Sequence, residues 1–396
     1  MPEAHHTTSS ADADEVLIQA LTSALSARDF EVIQLTNSAR PAIYYRRGVP
    51  HDLYAAAGNH PDFRGFTSKY FGEQQLTLEA DVMRLTRRGL ETNAKEAVAW
   101  LHKLYKTEKA DLLLIAEVFG IGIDRSLAFP NGVDLSRVED LPKCQLSEEL
   151  RHQAAHEGGI PFTPSKIFAV FQIRNVKAAI APSDKNLLEH GFVEIIRVMR
   201  ALTLLDDVAP VVGAAWLQFA DPDLDAYRGW MAARLAHHDG VRPTIAAYNV
   251  SIGDVAKVQT FFTLPANCLK QTVVVIDRLN LARRRTTAGD KAIDGCIALE
   301  AVFSDKSGAV SHKIAVRAAR YLEKTFALRS ILAKQTKDFY HLRSQVVHGY
   351  KQSPEADAVA GHGLKICAKM LQKIVAERRL PNLSMLDLGP DSGTAD

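Results

Sequence analysis

The chain has 396 residues, of which 47% are hydrophobic and 24% charged, and its formal net charge is +2. That length predicts two or three domains, and the composition is that of a chain able to build full cores. No stretch approaches the ~18 uninterrupted apolar residues of a membrane span. The four cysteines, Cys144, Cys268, Cys296 and Cys367, form no C-x-x-C. This argues against zinc and disulfide frameworks and for reduced, buried thiols in a cytoplasmic protein.

The N-terminus, "MPEAHHTTSSADADE", lacks a basic start followed by an apolar run, so residues 1–14 are expected to form a disordered leader rather than a signal peptide. Residues 15–30 carry a helical period through Val16, Leu17, Ala20, Leu21 and Leu25. The glycine-, proline- and aromatic-rich stretch that follows predicts loops and short strands. Residues 77–107 predict helix, "DLLLIAEVFGIGID" and "KIFAVFQIRNV" predict strands, and residues 186–205 predict helix again. Residues 15–260 are therefore expected to form a mixed α+β region with no recognisable catalytic motif. From residue 261 to 380 the texture is helical. Segments are predicted at 266–285, 288–303, 309–326, 328–348 and 355–379, with Gly349 suited to a helix C′ position and Pro354 to a helix start. Residues 381–396 lose the period and form a loose tail. The fold class is thus an α+β N-terminal region followed by an all-α bundle, mainly helical overall.

Charge is distributed unevenly over these parts. Residues 256–380 hold 22 Lys+Arg against 10 Asp+Glu, whereas the rest holds 26 against 36. A basic domain of this kind favours contact with phosphate. The alternative is electrostatic docking of the basic part on the acidic part. No H-E-x-x-H and no G-x-x-x-x-G-K-[ST] occurs, which sets aside metal hydrolases and P-loop nucleotidases. No metal and no cofactor is expected.

The pattern R-x4-H occurs three times, at Arg46/His51, Arg151/His156 and Arg343/His348. Gly48 and Pro50 put the first in a loop, and the second lies in the acidic half. Only the third falls late in a long amphipathic helix of the basic domain. Five residues at 100° each put Arg343 and His348 about 140° apart and ~7.5 Å along the axis, so one straight helix cannot aim both at one atom. Ser344 and His348, four apart, can touch. A histidine in a last helical turn can exchange protons near neutrality. An arginine can hold a phosphoryl oxygen and neutralise developing charge. Helix stability alone also accounts for both residues.

From about Leu264 to Ile374 the chain resembles the HEPN superfamily, in its Apea-like branch. The resemblance rests on "RLNLARRRTTAGDKAIDGCIALEAVF", "KIAVRAARYL" and "FYHLRSQVVHGY" in that order. "DLLLIAEVFGIGIDRSLAFPNG" and "VEIIRVMRAL" are similar to the accessory region preceding such domains, which implies that residues 15–260 are an accessory or sensor region on which a protein or ligand trigger would act. The resemblance implies a helical bundle that forms a homodimer, so that two R-x4-H motifs meet in one cleft. It further implies metal-independent endoribonuclease activity that leaves a 2′,3′-cyclic phosphate and a 5′-hydroxyl, in microbial anti-phage or stress defence. His348 would be the general acid/base and Arg343 would stabilise the phosphate. Ser344 stands where nucleases of the superfamily more often carry Asn, Asp or His, although serine is usual in the Apea-like branch. Other members bind RNA, nucleotide or a partner protein without cleaving, which is the alternative function.

Further candidates come from position. Lys313, Arg317 and Arg320, at helical spacing, and the triplet Arg283–Arg285 are candidate phosphate contacts. Tyr340 is a candidate for stacking on a base, with core packing as the alternative. Asp290 and Asp294 form an i, i+4 carboxylate pair that either caps its helix or binds a cation. Glu300 is expected to face Lys313 or Arg317. His237 and His238 read as an ordinary helix end.

Overall fold

The computed structural model describes residues 9–33, 42–63, 68–77, 82–142, 165–182, 186–224, 233–234, 248–305, 310–349 and 354–388. It has an α+β N-terminal part and a helical C-terminal part, as the periodicities predict, and is mainly helical.

The first helix, α1 (Ser10–Ala27), begins five residues before its predicted start, inside the expected leader. The reason is local: the Ser9 side chain accepts the Asp12 amide and caps the first turn. Its apolar stripe Leu17, Leu21 and Ala24 is buried. A hairpin of β1 (Phe30–Ile33) and β2 (Ala42–Tyr45) follows, then α2 (His51–Gly58) and the hairpin β3 (Ser68–Phe71) and β4 (Gln74–Thr77). The stretch 77–107 is not one helix but two, α3 (Val82–Glu91) and α4 (Ala94–Lys106). Asn93 separates them, because its side chain accepts the Glu96 amide and starts a new helix.

The central antiparallel sheet is built on two long strands, β5 (Lys109–Phe119) and β9 (Ile167–Ala179). Beyond β5, Gly120 at φ +81° turns the chain into β6 (Ile121–Ile123). The short β7 (Leu127–Ala128) pairs with β8 (Val133–Arg137), which lies along the first half of β9, while β3 pairs with its last residues. On the far side of β5 lie β10 (Val211–Phe219) and β11 (Ala233–Arg234). A bulge in β9 puts Asn175 at φ +55°, and the Asp111 side chain accepts its amide at 2.8 Å. Helix α5 (Leu187–Leu202) packs on one face of the sheet through Ile195, Val198 and Leu202. On the other face Trp216, Phe168 and Ile115 form a smaller apolar cluster. Strand β12 (Tyr248–Val250) pairs in parallel with β6 and leads into the C-terminal part.

There, α6 (Ile252–Val258) opens on a capping box of Ser251 and Asp254. The five predicted helices follow as α7 (Ala266–Arg284), α8 (Ala288–Phe303), α9 (Val310–Leu322), α10 (Phe326–Val347) and α11 (Ala356–Glu377). Gly349 has φ +72°, the left-handed value expected of a C′ residue. A short α12 (Leu383–Leu388) lies in what the sequence predicts as loose tail. The ring of Phe339 on α10 wedges α8 and α11 together. A Cβ on Gly295 or Gly363 would stand 2.5 Å or 2.3 Å from that ring, so only glycine permits this approach.

The two parts meet along α5, which packs on α6, on the turn Gln259–Thr263 and on α7. Arg283 donates to the carbonyls of Thr203, Leu205 and Val208, capping the end of α5. Asn280 donates to Pro210, and Arg200 makes a bidentate pair with Asp277, both bonds 2.9 Å. That ion pair carries the opposite sense to a basic part docked on an acidic one: the cation comes from the N-terminal part. No described helix is long and apolar enough to cross a membrane.

Candidate functional site

Helix α10 carries the candidate site, and its two sides differ in kind. Phe339 and Tyr340 are buried, while Lys334, Lys337, His341, Ser344 and His348 are all exposed. At 100° per residue these five lie within about 40° of one line and extend ~21 Å along the helix. The result is a polar stripe with two lysines at one end and His348 at the other. His348 is the C-cap residue, and its amide donates to the Ser344 carbonyl at 3.1 Å, so the ring stands beside the negative end of the helix dipole. His341 is bridged to Gln345, 3.2 Å away.

Arg343 lies on a different sector. Its Nη1 pairs with Glu300 on α8 at 3.3 Å, with the arginine side chain 36% exposed and the glutamate 27%. Its Nε is buried without a partner. Glu300 thus meets Arg343 rather than the predicted Lys313 or Arg317. Beneath the pair lie Tyr340, whose hydroxyl donates to the Cys296 carbonyl at 3.3 Å, and the buried Cys296 thiol. Burial pushes the pKa of both Cys296 and Tyr340 well above the ordinary range, with the Cys367 thiol adding to it for Cys296 and the Cys296 thiol for Tyr340. Neither is a proton donor near neutrality. The third described thiol of this core, Cys367, is itself pushed up to about 12 by burial.

Six of the sequence-derived contact residues change role. Tyr340 is a core residue, 6% exposed, and does not reach a base. Arg317 is 1% exposed and is bound on all sides: it donates to the Phe303 carbonyl, to Asp305 and to both oxygens of Asp387. It holds α12 on the bundle, with its guanidinium engaged inside the fold. Arg320 donates to the Leu386 and Asp387 carbonyls of the same helix. The triplet is internal as well, with Arg283 on carbonyls, Arg284 on Asn280 and Arg285 on Asp294. Lys313 remains 38% exposed, 3.7 Å from Asp305. Asp290 and Asp294 do not act together. Asp290 accepts from Thr287 at the start of α8, whereas Asp294 is 2% exposed between Arg278 and Arg285. The exposed lysines on the stripe of α10 are instead Lys334 and Lys337, which the sequence did not single out. Their i, i+3, i+7 spacing with His341 and Ser344 was the available signal.

Arg46 pairs with Glu31 at 3.0 Å and the exposed His51 begins α2, so the first R-x4-H is a surface turn. Arg151, His156, His237, His238 and Cys144 lie outside the described residues.

Among the described residues, one group has ligand atoms close enough for a metal ion: Asp14, His60 and His102, within 4.8 Å of one another. Asp14 Oδ1 lies 2.9 Å from His60 Nε2 and 2.7 Å from His102 Nε2. The Asp62 amide donates to His60 Nδ1 at 3.2 Å, which places the ring proton on Nε2, facing Asp14. A metal needs that nitrogen's lone pair. The group is therefore a hydrogen-bonded tie joining α1, the turn after α2, and α4.

No family model, curated protein or solved structure matches the chain.

Proposed function

We propose that the protein is a metal-independent endoribonuclease of the HEPN type, a cytoplasmic homodimer serving microbial defence against phage or stress. The observation that carries the reading is the exposed stripe Lys334–Lys337–His341–Ser344–His348 on a helix that also bears the half-exposed Arg343. The lysines would track the phosphate backbone of an RNA strand toward His348. There His348 takes the proton of the ribose 2′-hydroxyl as the 2′-oxygen attacks phosphorus. The bond from phosphorus to the 5′-oxygen breaks, and His348 as general acid returns the proton to the leaving oxygen, giving a 2′,3′-cyclic phosphate and a 5′-hydroxyl. Arg343 faces the charge that builds on the phosphoryl oxygens. Because Arg343 and His348 diverge by about 140° on one helix, the arginine of one copy and the histidine of the other would complete each cleft, which is why the reading includes a two-fold dimer.

A second reading, a non-catalytic module that binds RNA, nucleotide or a partner protein, is favoured by the Glu300 ion pair, which already occupies Arg343. One experiment separates the two. Fluorescently labelled RNA is incubated with the parent protein, Arg343→Ala and His348→Ala, and the product ends are identified. Nuclease action requires cyclic-phosphate ends from the parent and loss of cleavage by at least about 10²-fold in both variants at unchanged melting temperature. RNA binding that survives His348→Ala, with no cleavage by the parent, establishes the second reading instead.

A further inference from the structure

A cleft of about 650 Å³ opens where the two parts of the molecule meet, between α5 and the start of β10 on one side and α7 on the other. Its floor is apolar, formed by Ile196, Met199, Val211, Val212 and Leu281. Its rim carries three arginines, Arg200, Arg278 and Arg284, against the single carboxylate of Asp277. Size, concavity and an apolar floor with a few convergent polar groups are the features of a small-molecule site, and junctions between domains are where such sites concentrate.

The chemistry of the rim narrows the occupant. Arg200 uses Nε and Nη2 on Asp277, and Arg278 uses Nη1 on Asp294 at 3.0 Å while its side chain stays 42% exposed. A guanidinium has five N–H donors, so each retains donors for an incoming anion. A cation would meet a surplus of positive charge, and a neutral ligand would leave those donors without an acceptor. We infer that this cleft binds a small organic anion, its apolar body on the Ile196–Val212 floor and its anionic head at Arg200 and Arg278.

The cleft also has a physical connection to α10. Arg278 and Arg285 hold the buried Asp294 on α8, and Glu300, six residues further along that helix, holds Arg343. An anion that draws Arg278 from Asp294 loosens one of the two ties on the helix that positions Arg343. Binding would therefore alter cleavage as well, and this coupling, unlike the binding, rests on the proposed ribonuclease reading.

The full-length protein is titrated with 8-anilinonaphthalene-1-sulfonate, an aromatic anion that fluoresces when seated on an apolar surface. Saturable binding of one dye per chain is expected, displaced by phenyl phosphate or by benzoate according to whether the head that fits is a phosphate ester or a carboxylate. Arg200→Gln and Arg278→Gln should each weaken binding about tenfold, the value of one charge-assisted hydrogen bond. Arg278→Gln also disturbs Asp294, so a plugging variant, Val274→Trp, provides the independent arm. Val274 lines the cleft and is 47% exposed, so the larger ring fits without entering the core. It should abolish the saturable site at unchanged melting temperature. Dye affinity and stoichiometry that are the same in Val274→Trp and Arg200→Gln as in the parent would overturn the assignment. A dye-saturated protein that cleaves RNA at the unliganded rate refutes the coupling alone, and a parent that never cleaves refutes the ribonuclease reading while leaving the cleft assignment standing.

Discussion

Arg317→Met replaces a cation by an apolar chain of similar length at a position that is 1% exposed. It removes four hydrogen bonds of 2.6–2.7 Å, to the Phe303 carbonyl, to Asp305 and to the two oxygens of Asp387. Breaking a buried ion pair by removing one partner costs about 3–5 kcal/mol. The lower end applies here, because Asp305 keeps Lys313 at 3.7 Å and Asp387 is 47% exposed and can turn to water. At ~2–4 °C per kcal/mol, a loss of about 3 kcal/mol lowers the melting temperature by roughly 6–12 °C. The hydrogen bond from Arg317 holds the Asp387 carboxyl below the usual carboxylate range. A depressed carboxyl contributes stability above its unfolded-state value and loses it as pH falls through the folded one, so the gap between parent and variant should narrow in acid. Differential scanning calorimetry at pH 7 and at pH 3 measures both quantities, and RNA affinity is measured well below the melting temperature. An unchanged melting temperature with a large fall in RNA affinity would refute the buried network and restore Arg317 as a phosphate contact.

Three further expectations follow from packing and electrostatics. Gly363→Ala drives a methyl group to 2.3 Å from the Phe339 ring and should destabilise by about 1–3 kcal/mol, with relief in Gly363→Ala/Phe339→Leu, read by urea denaturation. Burial pushes the Asp254 carboxyl up, but hydrogen bonds from Lys257 and Ser251 outweigh it and bring it down to about 2. The stability it contributes is present above the unfolded carboxylate range and is lost as pH falls from about 4 to 2, so Asp254→Asn should cost roughly 1–2 kcal/mol at pH 7 and little at pH 2. Asp14→Ala removes the acceptor shared by His60 and His102 and should cost about 1–3 kcal/mol. Zinc added to the parent should leave its melting temperature unchanged, and a rise of several degrees would show that the His60 proton yields to metal.

The helical half was readable because its signals are local. Thr287, Ser251 and Thr325 cap helices at the residues where the pattern changes, and five helices appear within a few residues of their predicted limits. The boundaries that were missed also have local causes. Ser9 starts a helix in a polar leader, and Asn93 divides one periodic stretch into two. The central strands were visible as apolar runs, whereas their order was not, since β5 pairs with β9 and β10 across long connections.

Residue identity and spacing alone determined which side chains share a helix face, and so fixed that Arg343 and His348 diverge while Ser344 and His348 align. They could not say which cations are consumed internally. Lys313, Arg317 and Arg320 look alike along one helix, but only the docking of α12 reveals that Arg317 and Arg320 hold that helix while Lys313 keeps access to water. Likewise, Glu300 could have met any of several cations, and the crossing of α8 with α10 selected Arg343. Face and period are properties of the nearest turn of chain, whereas burial and partnership depend on which distant surface arrives there.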